Sequence, residues 1–291
     1  MMELDELLEK LSKLRLFQKD GKRAPHKPIL LLYALGQWQH GRTEIQWAEH
    51  EERLQGLLAQ FSNGKPSMEN PFVRLTNDAS GSLWELSNYA YQLGDNYSAK
   101  KLRDAGASGR FGQEVVDVLR MDPMNLHQIA AFVLEAEFPQ SLHEDILSAC
   151  GIEYEAVAVR GASEKRKRDP QFREKVLTAY GRKCAICGYD VRLGDQLIGL
   201  EAAHIQWHNK GGPDITQNGL ALCALHHKMF DFGLLGFSDH AEVLISRKGN
   251  GSSSYERLLE YDQKAISLPR FQEDQPDPAY FAWQRREVFR S

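Results

Sequence analysis

The sequence predicts an α+β chain in two parts: a mainly helical first half with a small sheet, then a smaller unit braced by cysteine and histidine pairs. Three observations carry this reading. Apolar residues recur at helical spacing through residues 4–14, 29–40, 49–62, 111–120, 125–138 and 142–150. Two short runs bounded by turn residues, 70–75 and 83–86, read as strands. Cys184 and Cys187 share the spacing of Cys223 and His226, so that each pair can aim at one point.

The elements follow in chain order. Leu4, Leu7, Leu8, Leu11 and Leu14 open the chain with an amphipathic helix that lacks the basic start and apolar core of a signal peptide. A basic, proline-bounded loop over 19–28 leads to the strongly apolar helix at 29–40, which stops at Gly41. Residues 43–45 form a short edge strand, and 49–62 another amphipathic helix. Strands at 70–75 and 83–86 flank a turn over 77–82. Three helices then close the first domain, the second stopped by Pro139 and the third by Gly151. From residue 170 the pattern is a helix (172–180), a cysteine knuckle, a strand (197–205), a glycine-rich loop, a helix, short strands within 229–248 and a mixed helical tail. The expected domains are 1–155 and 170–291, joined by a basic linker at 156–169 that contains Lys165-Arg166-Lys167-Arg168. That run is either a solvated face or a contact to phosphates.

Composition narrows the function classes. The chain has 291 residues, 42% hydrophobic and 26% charged, as expected for soluble globular domains. It has no apolar run long enough to span a membrane, and the expected location is the cytoplasm. Net charge is −4; residues 1–160 hold 17 Lys and Arg against 23 Asp and Glu, a balance of −6. Any polyanion must therefore meet a local patch. With only four cysteines, clustered at 184, 187 and 223, a metal is favoured over disulfides, and Cys150 reads as a buried small hydrophobe.

Cys184, Cys187, Cys223 and His226 suit a closed tetrahedral Zn2+ site that stabilises a small domain; the spacing favours His226 over His227 as the fourth ligand. Interleaved with them is a second series: Glu201-Ala202-Ala203-His204 at a strand end, Asn218 and His227. Phosphodiester hydrolysis needs a base of near-neutral pKa, for which His204 is the candidate. It also needs a divalent cation, for which His227 is the candidate ligand. Asn218 either bridges the hairpin backbone or touches the metal.

With Gly211-Gly212-Pro213-Asp214 and Asp231 added, residues 183–232 resemble an HNH endonuclease, the ββα-metal fold, in its zinc-stapled form. The resemblance implies His204 as general base, Asn218 as hairpin brace and His227 as ligand of a catalytic Mg2+, Mn2+ or other divalent ion. Where many members carry an acid or histidine just before the base, this chain has Ala203, which leaves the second ligand open, with Glu201 and Asp231 as candidates. Asp231 lies one helical turn beyond His227.

The first half also has a resemblance, carried by three stretches. These are Pro25-His26-Lys27-Pro28-Ile29-Leu30-Leu31-Leu32, Asn70-Pro71-Phe72-Val73-Arg74-Leu75 with Trp84-Glu85-Leu86, and Phe138-Pro139-Gln140-Ser141-Leu142-His143. Residues 5–152 resemble the sulfur-binding domain of restriction enzymes that target phosphorothioate-modified double-stranded DNA. A non-bridging sulfur is larger and more weakly hydrated than oxygen, so a shallow apolar cup can discriminate between them. His26, Lys27, Asn70, Pro71 and Phe72 are the candidates for the cup and its rim. Arg23, Lys101, Arg103 and Arg110 are candidates for phosphate or base contacts, with Gly106-Ala107-Ser108-Gly109 allowing close backbone approach.

The whole reads as a modification-dependent restriction endonuclease. The alternatives are a nuclease for methylated or unmodified DNA, an RNA-directed nuclease, and a non-catalytic DNA-binding regulator. Cutting both strands with one site per chain calls for a homodimer or sequential nicking, and the sequence does not choose between them.

Overall fold

A computed structural model describes residues 2–14, 16, 18–19, 22–23, 25–63, 67–90, 96–153, 169 and 171–291. The chain divides into two compact units, Met1–Glu164 and Lys165–Ser291. The expected linker, with its four-residue basic run, lies outside the described residues except for Asp169. No described helix is long and apolar enough to cross a membrane.

In the first unit, helix α1 (Leu4–Ser12) buries Leu7 and Leu11 and leads to a small hairpin of β1 (Gln18–Lys19) and β2 (Lys22–Arg23). Helix α2 (His26–Gln39) is the centre of the unit. Every residue from Pro28 to Gln37 is buried, which explains its nearly continuous apolar sequence. Strand β3 (Ile45–Gln46) and helix α3 (Trp47–Phe61) follow.

The stretch expected as a strand at 70–75 is a short helix, α4 (Glu69–Arg74). Pro71 falls in its first turn, where the missing N–H costs nothing, and Phe72, Val73 and the following Leu75 pack inward together. Beyond it come β4 (Trp84–Ser87), helix α5 (Ala99–Asp104) and a strand absent from the sequence reading, β5 (Ser108–Phe111). The antiparallel order is β3-β5-β4, with Ile45 opposite Gly109 and Trp84 opposite Phe111. Gly109 is thus a packing glycine at the middle of the sheet, because a Cβ there would overlap the Trp84 indole. Helices α6 (Gln113–Met121), α7 (Met124–Glu137) and α8 (His143–Cys150) complete the layer around α2.

The second unit opens with α9 (Phe172–Ala179). A small hairpin, β6 (Arg192–Leu193) with β7 (Gln196–Leu197), precedes the main hairpin, β8 (Leu200–His204) with β9 (Gly219–Cys223). The expected strand at 197–205 is thus broken at Gly199, whose φ of +66° turns the chain. Helix α10 (Ala224–Asp231) follows β9 directly. The unit ends with β10 (Leu235–Phe237) paired to β11 (Val243–Ile245), helix α11 (Ser253–Leu259) and helix α12 (Pro278–Glu287), whose Asp277 cap accepts the Ala279 N–H. Val176 and Leu177 of α9 pack with Leu200, Leu220 and Phe230 to fix strands and helix as one body.

Candidate active site and metal centre

The knuckle comes first because it anchors the rest. Cys184 and Cys187 lie in a turn closed by Gly188 N–H to Cys184 O (2.9 Å) and Cys184 N–H to Tyr189 O (2.9 Å). Cys223 ends β9 and caps α10, and His226 lies in that helix's first turn. The four donor atoms all lie within 4.8 Å of one another. His226 Nδ1 is 3.5 Å from Cys184 Sγ and 3.3 Å from Cys223 Sγ. Tetrahedral zinc, with Zn–S of about 2.3 Å and Zn–N of about 2.0 Å, requires an N–S edge of about 3.5 Å, so the donors fit that ion. Hydrogen bonding with Cys223 pulls the Cys184 thiol down to about 3 and pushes Cys223 up, so a thiolate is favoured within the knot.

The loop between β8 and β9 is closed by Asn218. Its Oδ1 accepts the Gln206 N–H (2.8 Å), and its Nδ2 donates to Gln206 O and Pro213 O (3.0 Å each). The side chain is fully buried and spends its amide on the backbone; it is a brace, and the alternative of a direct metal contact is set aside. Gly212 lets the loop close, since a Cβ there would overlap the Gln206 carbonyl.

His204 ends β8. Its Nε2 lies 2.7 Å from Asp214 Oδ1, and its ring stacks on Phe172 at 4.0 Å and 12°. The other Asp214 oxygen accepts the Asp169 N–H at 2.6 Å, and His208 Nε2 stands 3.7 Å from it. Burial alone would raise the Asp214 pKa, but the Asp169 amide and His204 outweigh it and hold the carboxyl below its ordinary range. Phe172, Asp214 and Asp169 had no role in the sequence reading. Asp214 was visible in the glycine-proline loop, but its pairing across ten residues was not.

His227 and Glu201 meet across β8 and α10, with His227 Nδ1 2.6 Å from Glu201 Oε2. On the far side of the ring, Nε2 is 3.2 Å from Asp231 Oδ2. Burial would lower the His227 pKa, but Asp231 and Glu201 overcome it and push it up to about 10. The two carboxylates expected as companion ligands are thus both beside His227. They bracket opposite ring nitrogens, however, and do not converge on one point. Among the described residues, only the knuckle gathers its donors as a metal site requires.

In the first unit, the start of α2 meets α4. Lys27 Nζ forms a largely buried 2.5 Å ion pair with Asp78, and burial lowers the His26 pKa against the opposing charge of Glu69. Asn70 Oδ1 accepts the Tyr97 hydroxyl at 2.9 Å, and Arg74 lies over the Tyr97 ring at 5.8 Å. The start of α2, with His26 and Lys27, and α4, with Asn70 and Pro71, therefore adjoin, and Arg74, Asp78 and Tyr97, which sequence reasoning did not single out, are engaged there. Phe72 must be corrected. Its ring is fully buried between Trp47 and Trp84, at 5.0 and 5.8 Å, so it supports the surface from beneath and lines no cup. Pro71 is buried as well. Arg103 pairs with Glu51 and Arg110 with Glu85, while Lys101 donates to Asn96 O. Each of these cations already has a partner. Arg23 lies in β2, and its side chain is outside the described residues.

A zinc-fit knuckle, a strand pair closed by an asparagine and a following helix define an HNH-type nuclease unit, and residues 184–238 match the HNH endonuclease family. Residues 4–155, just over half of the chain, match the family described as ScoMcrA-like, DNA sulfur-binding domain, and the protein belongs to it. Solved structures similar to the chain include the sulfur binding domain of ScoMcrA complexed with phosphorothioated DNA (19% identity, 50% of this chain and 97% of that one, TM-score 0.42). The corresponding domain of SprMcrA in complex with phosphorothioated DNA is 18% identical over 52% of this chain and 95% of that one, TM-score 0.42. The modification dependent TagI restriction endonuclease is 23% identical over 46% and 43%, TM-score 0.32. No curated protein matches the chain.

Proposed function

We propose that the protein is a phosphorothioate-dependent DNA endonuclease: the first unit binds modified duplex DNA and the second hydrolyses phosphodiester bonds nearby. One observation carries the reading. A DNA sulfur-binding domain and an HNH unit, the latter with a histidine–carboxylate pair at its hairpin end, stand in one chain. The domain limits that go with it are 1–155 and 170–291.

In this reading His204 is the general base. It takes a proton from water; the water oxygen bonds to phosphorus; the P–O bond on the leaving side breaks with its electron pair, and solvent protonates the departing oxygen. Asn218 keeps the loop in shape for His204. His227, with Glu201 or Asp231, would hold a divalent ion once the side chains turn from each other to a common point; the carboxylates suit Mg2+ or Mn2+, and the imidazole suits a transition ion. When bound, that ion supplies charge stabilisation at the scissile phosphate. The negative charge that favours a proton on His227 is the charge a cation would take over. The knuckle would hold Zn2+ for structure only. In the first unit, His26, Asn70 and Arg74 are the proposed DNA-facing residues, while Lys27 is engaged by Asp78.

The test pairs a short duplex carrying one phosphorothioate of defined stereochemistry with its all-oxygen twin. With Mn2+ or Mg2+, cleavage of the sulfur duplex is expected. His204→Ala is expected to abolish cutting and keep the binding preference. Equal treatment of both duplexes would refute the substrate assignment, and binding without any cutting would leave a regulator.

A further inference from the structure

The geometry points to Asp214 as the residue that sets the tautomer and orientation of His204; this role rests on the nuclease reading above. Three contacts meet at the pair. Asp214 Oδ1 receives His204 Nε2–H at 2.7 Å, Asp214 Oδ2 receives the main-chain N–H of Asp169 at 2.6 Å, and the His204 ring lies flat on Phe172. Both side chains are largely withdrawn from water, at 15% and 13% exposure. The loop that carries Asp214 is itself pinned, because Asn218 Nδ2 holds the carbonyl of the adjacent Pro213.

The chemistry follows from donor and acceptor counts. A main-chain N–H can only donate, so one oxygen at position 214 is committed to Asp169. The second oxygen then faces Nε2 and holds a proton there. In the neutral imidazole this puts the basic lone pair on Nδ1, the nitrogen that would take the proton from water. The carboxylate also stabilises the imidazolium formed as that proton arrives. Asp214 touches neither water nor phosphate in this scheme; it is a positioning residue.

Asparagine at 214 cannot reproduce both contacts. Its single oxygen must turn to the Asp169 N–H, and its NH2 then faces Nε2 and drives the histidine proton to Nδ1. Full-length Asp214→Asn is therefore expected to show His204 switching from the Nε2–H to the Nδ1–H tautomer in long-range 15N–1H correlation spectra, with the resonance assigned by its loss in His204→Ala. On the phosphorothioate duplex, its kcat is expected to fall by about 100-fold with KM unchanged. Asp214→Glu, which keeps two acceptors, is expected to recover part of that rate. Unchanged zinc content and a single cooperative thermal transition of Asp214→Asn, even at a lowered midpoint, separate misplacement from misfolding. An unchanged tautomer, or a loss confined to KM, would overturn the role. If the wild type cuts and Asp214→Asn cuts equally well, only this role falls; if the wild type cuts nothing, the nuclease reading falls and takes it along.

Discussion

At the scale of single residues, burial decides which candidates can touch DNA. Phe72 and Asn70 are two positions apart on α4, but Phe72 is sealed between two tryptophans and Asn70 stands beside Tyr97. Phe72→Ala is expected to lower the stability of the first unit by about 3–5 kcal/mol, since a large buried ring leaves a cavity. Urea unfolding measures this. Asn70→Ala is expected to leave stability nearly unchanged and to weaken DNA binding; the opposite pattern would restore Phe72 to the interface. Asp214 supplies a second residue-level expectation. Its folded pKa is depressed, so the stability it adds is present above its unfolded value, about 4, and is lost as pH falls from there through the folded value. The stability difference between wild type and Asp214→Asn is thus expected to be constant at pH 5 and above on this account and to shrink in acid. A difference that persists at pH 2 would contradict it.

At the scale of elements, what was legible in the sequence was what one period expresses. Helix α2 is nearly continuously apolar from Pro28 to Leu35 because that stretch is covered on all faces, and α3 and α7 keep clear apolar positions. The run at 70–75 is too short to separate strand from helix by periodicity, and burial of Phe72 and Val73 together decided for helix. Strand β5 carries a serine and a glycine, the glycine dictated by the Trp84 ring, a contact 25 residues away that no local pattern displays. The knuckle was legible because its chemistry needs particular residue types at fixed spacing. The acids beside Arg103 and Arg110 were not, because ion pairs 52 and 25 residues apart leave no periodic trace. The knuckle has a direct consequence for metal removal. Stripping zinc with a strong chelator is expected to expose Cys184, Cys187 and Cys223 to a thiol reagent and to loosen the hairpin and α10. Cys150, fully buried with its thiol pushed up to about 12, is expected to stay unreactive while the first unit remains folded. Thiol counting before and after chelation checks this: three new reactive groups are expected, and four would mean the first unit had opened too.

At the scale of the whole molecule, charge constrains how the chain can meet a polyanion. Residues 1–160 carry a balance of −6, and Arg103 and Arg110 already face Glu51 and Glu85. A broad positive field is therefore not available to the first unit, and under the proposed function DNA binding would rest on a few phosphates plus the mark itself. Each neutralised phosphate adds about −0.9 to the slope of log affinity against log salt, so two to four contacts give a slope of about −2 to −4. Under the same proposal, the preference for sulfur would have a different origin. A phosphorothioate and a phosphate diester carry the same net charge and differ in size and hydration, so discrimination comes from desolvation and not from ion release. Affinity for both duplexes is therefore expected to fall in parallel as salt rises, while their ratio stays constant. Anisotropy titrations of His204→Ala on the two duplexes at several salt concentrations measure both quantities. A ratio that collapses toward one at high salt would make the selectivity electrostatic, and an acidic unit with paired arginines would then be the wrong surface to produce it.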